Sequence, residues 1–307
     1  MQHYLSLDGV YLECAWLTIG SFDGVHLGHQ AIVRELVAGA KREGASSALL
    51  TFHPHPAVIL NKRKVANYLT SPEERANLVG ELGVDIVITH PFNQDVAAMS
   101  ARDFIEHLKT HLGFTRMVVG VNFGLGRDRE GDIPTLSRLG EELGYSIKTI
   151  DPVLNGDEIV SSSRIRARLV EGDVQSSGRL LGRPFRMSGV IVHGDARGKT
   201  IGVPTANLDV WSERAFPKSG VYACRALIDG TFWNAVTNVG VRPTFETHLT
   251  MPQVEAHLLD FEGDLYGRHV ALDFIQYLRD EHKFPNVQAL IDQIHQDINR
   301  ARLILSG

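Results

Sequence analysis

The sequence has few cysteines and no excess of basic residues, and each absence excludes a class of protein. Two cysteines, Cys14 and Cys224, occur in 307 residues. Neither belongs to a CxxC pair, which excludes a dithiol motif and a cysteine zinc knuckle. The formal net charge is −5, from 31 basic and 36 acidic residues, whereas proteins that bind long nucleic acids usually carry a basic excess. We therefore expect no nucleic-acid partner, although small anions can still bind at helix N-termini.

Targeting and membrane signals are also missing from the sequence. The first residues, "MQHYLSLDGV", lack the basic and apolar regions of a signal peptide. No apolar run approaches the roughly 20 residues that span a bilayer. The low cysteine content fits a reducing compartment. We therefore expect a cytoplasmic protein with no membrane partner.

The first half of the chain alternates between two patterns. Short apolar runs such as "AWLTIG", "SSALLTF" and "VDIVITH" predict buried strands. Segments between them, such as "HQAIVRELVAGAKREG", have helical spacing. Strands that alternate with helices over residues 14–155 predict a parallel, doubly wound α/β sheet.

The pattern changes near residue 182. Short β-rich runs separated by glycine and proline follow, among them "RMSGVIVHG", "GVYACRALIDG" and "HVALDFIQYLR". They predict a small antiparallel β-barrel, and the last segment, "NVQALIDQIHQDINRARLIL", predicts a C-terminal helix. We expect two domains, residues 1–182 and 183–307, in keeping with a length beyond the usual single core.

The segment "GSFDGVHLGH" follows the first long strand and begins a helix. Open α/β sheets bind ligands at this edge. Gly20, Gly24 and Gly28 permit tight turns and close backbone approach. The helix N-terminus presents free N–H groups, and His26 and His29 add directed donors. The segment therefore predicts an anion site.

Three more segments lie at comparable strand ends. "FHPHP" places His53 and His55 two residues apart, which predicts that both face one side of a strand. "VGVNFGLGRDREGD" is a Gly-rich loop with two arginines, and "VSSSRIR" opens a helix with three hydroxyls and two arginines. Hydroxyls, a helix start and guanidinium groups suit phosphate oxygens.

Two other interpretations remain open for these residues. The four histidines could form a zinc or copper site, although no motif such as HExxH accompanies them. The serines could simply cap a helix. Each segment alone is a weak signal, and their occurrence together in one α/β domain is much stronger.

Together these four segments resemble the FMN adenylyltransferase module of bacterial bifunctional riboflavin kinase/FAD synthetases. "GSFDGVHLGH" is similar to the HxGH signature of the Rossmann-like nucleotidyltransferase superfamily. The resemblance implies that His26 and His29 contact ATP phosphates during catalysis. It further implies ATP contacts from Gly20, Phe22, Gly28, Asn122, Ser162, Ser163 and Arg166, and flavin contacts from His55 and Pro56.

In the second half, "HGDARGKT" is close to a P-loop but fails its spacing. Gly194 and Gly198 enclose three residues, whereas the motif needs four. Pro204 opposes the helix that follows a P-loop. We reject the P-loop and still expect a phosphate-binding turn.

The longer stretch "GVIVHGDARGKTIGVPTANL" resembles the riboflavin kinase module of the same family, whose hallmark is a Gly-rich loop ending in PTAN. The resemblance implies that Thr205 and Asn207 hold Mg²⁺, a cation that prefers oxygen ligands. It also implies ATP contacts from Gly194, Gly198 and Thr205.

Further matches to the kinase module follow in the family's order. "VEAHLLDF" places Glu255 where the family has its catalytic base, and "LRDEHKF" places Arg279 and Phe284 at the border of the flavin site. The implied base would accept the proton of the riboflavin 5′-hydroxyl during phosphoryl transfer.

The resulting hypothesis is an enzyme of flavin biosynthesis that converts riboflavin to FMN and FMN to FAD, with ATP and Mg²⁺. Riboflavin, FMN and ATP are its expected partners, and weak self-association is a further possibility. One alternative is a kinase with a degenerate adenylyltransferase module. A flavin-binding regulator without turnover and a metal-dependent hydrolase are the others.

Overall fold

Parallel strands form the centre of the first half of the chain. The computed structural model describes residues 1–61, 67–194, 202–243 and 250–306, and the chain divides into a first unit, residues 1–162, and a second unit, residues 163–307. The first unit contains β1 (Gln2–Tyr4), β2 (Ala15–Ile19), β3 (Ser46–His53), β4 (Ile86–Pro91), β5 (Phe114–Gly120) and β6 (Ser146–Ile150). Their order across the sheet is β1-β4-β3-β2-β5-β6, and all neighbours pair in parallel.

Helices connect these strands and cover both faces of the sheet. They are α1 (Leu27–Glu43), α2 (Pro56–Ile59), α3 (Pro72–Glu81), α4 (Gln94–Ala98), α5 (Ala101–Leu112) and α6 (Ile133–Leu143), with a 3₁₀ turn at Arg127–Arg129 and a hairpin of β7 (Leu154–Asn155) and β8 (Glu158–Ile159). Successive strand residues enter different cores: Leu49 packs with helices α1 and α3, and Leu50 with α5 and α6. Because side chains alternate along a strand, one apolar run supplies both cores. The predicted doubly wound sheet is confirmed.

The second unit is a barrel with helices packed against it. It begins within α7 (Ser162–Glu171), one residue after the start of that helix, continues with α8 (Val174–Leu181) and ends with α9 (Val287–Leu305). Between them lie β9 (Phe185–Val192), β10 (Ala206–Val210), β11 (Gly220–Ile228), β12 (Thr231–Pro243), β13 (Thr250–Leu258) and β14 (His269–Arg279). These strands close in the order β10-β13-β12-β11-β14-β9, with every pair antiparallel. The predicted antiparallel barrel and C-terminal helix are confirmed.

The helical stretch before the barrel is two helices. Gly172, with φ of 82°, follows α7, and the Asp173 side chain accepts the N–H of Ser176 to cap α8. Both helices fall almost entirely in the second unit. Our division into functional domains at residue 182 stays a prediction. In the described part of the chain, no helix is long and apolar enough to cross a membrane.

Gly39 of α1 lets this helix pack closely on the sheet. A Cβ at Gly39 would overlap the ring of Trp16, which is buried and donates from Nε1 to Glu43 at 3.0 Å. Gly178 of α8 is also helical, but its added Cβ would make an ordinary contact at 3.4 Å. Gly39 and Gly178 are therefore a test and a control position for the effect of adding a methyl group to a helical glycine.

We predict that Gly39→Ala lowers the free energy of unfolding by about 1 to 2 kcal/mol, because overpacking exceeds the gain in helix propensity. Gly178→Ala should instead be neutral or stabilise by up to about 1 kcal/mol. Urea unfolding of both variants measures the difference. Equal effects would contradict the packing argument.

Candidate active sites

The histidine motif lies at the N-terminus of α1. His26 is the N-cap, and its Nδ1 accepts the backbone N–H of His29 at 3.3 Å. The two imidazole rings stack, with centroids 3.6 Å apart. In a neutral His26 this hydrogen bond assigns the proton to Nε2, which leaves Nε2 as a donor. The motif thus combines a helix N-terminus with imidazole donors, an arrangement suited to anions.

Close packing around the motif leaves little room for a side chain at two glycines. A Cβ at Gly28 would lie 3.2 Å from Cε1 of His26, and one at Gly20 would lie 3.0 Å from the ring of Phe22. The Phe22 ring in turn lies 5.0 Å from that of His29, centroid to centroid. The structure therefore brings five predicted residues of the first site together: Gly20, Phe22, His26, Gly28 and His29.

Asp23 fixes the loop between β2 and α1. Its Oδ1 accepts the backbone N–H groups of Leu69 and Thr70 at 2.9 and 3.2 Å. Thr70 Oγ1 accepts the N–H of Gly24 at 3.1 Å. Ser162 Oγ donates to the carbonyl of Asp23 at 2.8 Å, which places this predicted residue beside the histidine loop. Sequence reasoning missed Asp23 as the loop's anchor, and its only signal was an aspartate between glycines.

Burial and neighbouring groups keep His29 uncharged. Burial first, then His26 and the Arg75 guanidinium, hold the pKa of His29 well below its usual value. Arg75 is 1% exposed and donates from Nη1 to Thr51 Oγ1 at 2.9 Å. Within the described residues, Nδ1 of His29 and both Nε and Nη2 of Arg75 have no hydrogen-bond partner. At neutral pH the site therefore holds a neutral imidazole with hydrogen-bonding capacity to spare, beside a buried cation that the sequence did not reveal.

The "FHPHP" segment differs from its prediction. We expected His53 and His55 to share one face of a strand, and this is wrong because β3 ends at His53. His55 instead caps α2, with Nδ1 accepting the N–H of Ala57 at 3.0 Å, and its own N–H donates to Tyr68 Oη at 2.7 Å. Pro56 is the first residue of α2.

The other predicted contacts of the first site lie on separate elements. Asn122 is exposed in the turn after β5, and its carbonyl accepts Arg129 Nη2 at 2.8 Å. Ser163 and Arg166 lie in the first turns of α7, within the second unit. Their contacts with ATP stay predictions.

The second site is built on neighbouring barrel strands. Glu255 of β13 pairs with Asn207 of β10 on one side and with Asn238 of β12 on the other. Directly opposite residues in an antiparallel sheet point to the same face. A cavity of about 360 Å³ opens here, within the usual range for small-molecule sites. Its lining includes Thr205, Asn238, Glu255, Arg279, Phe284 and Asp297.

The PTAN segment offers oxygen donors next to this cavity. Asn207 is 8% exposed, and its Oδ1 accepts Gln253 Nε2 at 2.7 Å. A Cβ at Gly194 would overlap the Asn207 carboxamide, so only glycine lets the chain approach there. Thr205 Oγ1 and Asn207 Oδ1 are hard donors of the kind Mg²⁺ takes alongside substrate phosphates. Both residues therefore fit the predicted cation, while predicted Gly198 lies outside the described residues.

Sequence reasoning missed two polar residues of the cavity. Asn238 donates from Nδ2 to Glu281 Oε1 at 2.9 Å, and Asp297 of α9 pairs with Arg279 at 2.8 Å. Asn238 lies in a β-rich run, and Asp297 lies between the apolar positions of an amphipathic helix. Neither pattern distinguishes a site residue from a solvent-facing one.

A resident metal centre made of protein ligands finds no support in the described residues. They contain no group of three or more His, Cys, Asp or Glu placed to hold a metal ion. The zinc interpretation of the four histidines therefore carries no further weight.

Comparison with known proteins gives one family model for each half of the chain. A family model described as FAD synthetase matches residues 11–164, and one described as riboflavin kinase matches residues 181–305. The bifunctional riboflavin kinase/FMN adenylyltransferase of Bacillus subtilis is 35% identical over 93% of this chain and 90% of its own. Those of Pseudomonas fluorescens and Escherichia coli K12 are 38% and 36% identical, over 94% and 93% of this chain and 92% and 91% of theirs.

A solved structure also matches the whole chain. It is described as a macrolide-efflux protein from Streptococcus pneumoniae and superposes with a TM-score of 0.89 at 28% identity, covering 98% of both chains. That description concerns the Streptococcus protein, and the match shows a shared fold.

We predict that His29 makes stability depend on pH. Its pKa is lowered in the folded state and near 6.5 in the unfolded chain, so the unfolded state binds more protons below about pH 7. The stabilisation is complete above about pH 6.5 and is lost as the pH falls through the lowered folded-state pKa.

The measurement is urea unfolding at pH 7, 6 and 5, followed by Trp16 fluorescence with Trp211 and Trp233 replaced by phenylalanine. His29→Gln should lose less stability between pH 7 and 5 than the parent chain. An equal or steeper loss in His29→Gln would rule out a neutral His29 in the folded state.

Proposed function

Because the chain belongs to the family of bifunctional riboflavin kinase/FMN adenylyltransferases, we propose that it catalyses both reactions with ATP. The barrel phosphorylates riboflavin to FMN, and the α/β unit adenylylates FMN to FAD with release of pyrophosphate. The observation that carries this proposal is the presence of both family domains in one chain. The residues that lie together around His29 and around Glu255 support the proposal.

In the α/β unit the motif at the start of α1 binds the phosphates of ATP. A phosphate oxygen of FMN attacks the α-phosphorus, so the reaction needs alignment and charge stabilisation rather than a nucleophilic side chain. His26 and His29 donate to phosphate oxygens together with the N–H groups of the helix start. Gly20 and Gly28 bring backbone to this site without a side chain, and a Cβ at either would crowd Phe22 or His26. Ser162, Ser163 and Arg166 hold the distal phosphates, while His55 and Pro56 border the flavin.

In the barrel Glu255 accepts the proton of the riboflavin 5′-hydroxyl as that oxygen attacks the γ-phosphorus. Thr205 and Asn207 hold Mg²⁺, which would offset charge on the ATP phosphates when bound. Arg279 and Phe284, which line the cavity beside Glu255, contact the flavin. The cavity supports this assignment because it brings the base and these two residues together.

Two further properties stay predictions. A cytoplasmic location fits the two free cysteines, of which Cys14 is exposed and Cys224 buried. Weak self-association remains an expectation from the sequence.

We predict that His29→Asn lowers FAD formation from supplied FMN by about 10²- to 10³-fold, because a donor to the phosphates is lost. FMN formation from riboflavin should be unchanged, since that reaction uses the barrel. Chromatography of the flavin products measures both rates. His107→Asn, a histidine replacement elsewhere in the same unit, is the control and should leave both rates intact.

Loss of FMN formation in His29→Asn, with FAD formation retained, would reverse the assignment of the two units. A parent chain that forms FMN but consumes no supplied FMN would instead favour the kinase with a degenerate second module.

We predict the opposite pattern for Glu255→Gln. FMN formation should fall by about 10²- to 10⁴-fold, because the general base is lost, while FAD formation from supplied FMN persists. Glu262→Gln, an exposed residue after β13, provides the matched control. The same chromatographic assay applies, and a Glu255→Gln enzyme that still phosphorylates riboflavin at the parent rate would remove Glu255 from the mechanism.

A further inference from the structure

We infer that Asp297 is a positioning residue of the riboflavin kinase site, which holds the Arg279 guanidinium in the cavity wall and thereby sets the affinity for riboflavin. This inference rests on the proposed kinase function of the barrel. Arg279 is the last residue of β14, and Asp297 lies in the middle of α9. Both line the cavity that contains Glu255.

The contact between the two side chains is bidentate, and it joins a partly buried guanidinium to a buried carboxylate. Arg279 Nε lies 3.1 and 2.9 Å from Oδ1 and Oδ2 of Asp297, and Nη2 donates to Oδ2 at 2.8 Å. The exposed fractions are 19% for the Arg279 side chain and 6% for that of Asp297. Gln293, one turn earlier on α9, donates to Asp297 Oδ1 at 3.0 Å. The carboxylate is therefore itself held in place while it orients the guanidinium.

Other contacts fix the remaining sides of the guanidinium. Arg279 Nη1 donates to the carbonyl of Asp280 at 2.9 Å, and the guanidinium carbon lies 5.7 Å from the centre of the Phe284 ring. A planar guanidinium beside an aromatic ring makes a flat, partly polar wall. Such a wall suits a planar heteroaromatic ring with polar edges, which is the chemistry of a flavin.

Packing of α9 against the barrel does not explain why a carboxylate lies at position 297. Ala301 and Leu305 pack with Val221 and Ala223 in an apolar cluster. A buried ion pair is often no more stabilising than apolar residues of similar volume. A carboxylate that faces the cavity is therefore better explained by what it does to Arg279 than by helix packing.

The same helix supplies a matched control pair. Arg302 binds Asp260 through two hydrogen bonds of 2.7 Å, so it is also bidentate. This pair is exposed, with side-chain fractions of 48% and 67%, and neither residue lines the cavity. Asp260→Asn thus makes the same chemical change to an ion pair of α9 outside the site.

The experiment compares Asp297→Asn with Asp260→Asn in the full chain. Asp297→Asn should raise the KM for riboflavin about tenfold, the effect of losing one charge-assisted hydrogen bond in the wall. The KM for ATP in the kinase reaction and FAD formation from FMN should be unchanged. Asp260→Asn should leave all three values at the parent level. An unchanged riboflavin KM in Asp297→Asn, or an equal rise in Asp260→Asn, overturns the inference.

A double-mutant cycle separates positioning through Arg279 from a direct or general structural effect. Arg279→Gln should itself raise the riboflavin KM, and adding Asp297→Asn to that variant should change it no further. Additive effects would show that Asp297 does not act through Arg279. If Asp297→Asn fails to fold, Asp297→Glu takes its place in the same cycle, with a smaller rise expected because the charge remains.

Riboflavin binding, followed by quenching of flavin fluorescence without ATP, distinguishes the two possible failures. A parent chain that binds riboflavin but forms no FMN would contradict the proposed function. A roughly tenfold weaker binding in Asp297→Asn would still support the positioning role in that case. Equal binding by the parent chain and Asp297→Asn would overturn the positioning role, whatever the turnover.

Discussion

Closure of the six-stranded barrel is the constraint on which the kinase site depends. Glu255 lies on β13 between two other strands, and its neighbours Asn207 and Asn238 reach it only through the registers of both pairings. A slip of one residue in either strand would turn a side chain to the opposite face. A closed barrel has no free edge along which such a slip could be accommodated. The positions of the candidate base and the PTAN segment are thus consequences of one pattern of hydrogen bonds.

In the α/β unit, side-chain hydrogen bonds rather than strand register position the site. Its site depends on where a helix begins, and the His26 cap and the Asp23 hydrogen bonds to Leu69 and Thr70 fix that point. Positive charge comes from the helix dipole and from the buried Arg75. Burial first, then His26 and Arg75, hold the pKa of His29 low, so that side chain stays neutral. The imidazole can therefore form hydrogen bonds but adds no positive charge to the site.

Periodicity and turn residues predicted most of the architecture, because strands such as β3 and helices such as α5 have strong patterns. The three-residue strand β1 was missed because its "QHY" sequence has no apolar run and only its pairing with β4 defines it. Residues on motifs, such as His29 and Glu255, could be predicted by resemblance. Arg75 and Asp297 could not, because their partners lie 24 and 18 residues away along the chain and only the fold brings them together.

The two sites differ in one respect that the chemistry of their substrates explains. The phosphate of FMN is already an anion and can attack without losing a proton, whereas the hydroxyl of riboflavin needs a base. The barrel accordingly has a carboxylate, Glu255, in its cavity. In the α/β unit the carboxylate of the loop is Asp23. Its Oδ1 accepts backbone N–H groups, so we assign it to holding the loop conformation rather than to proton transfer. The proposed base thus belongs to the one reaction whose nucleophile must be deprotonated.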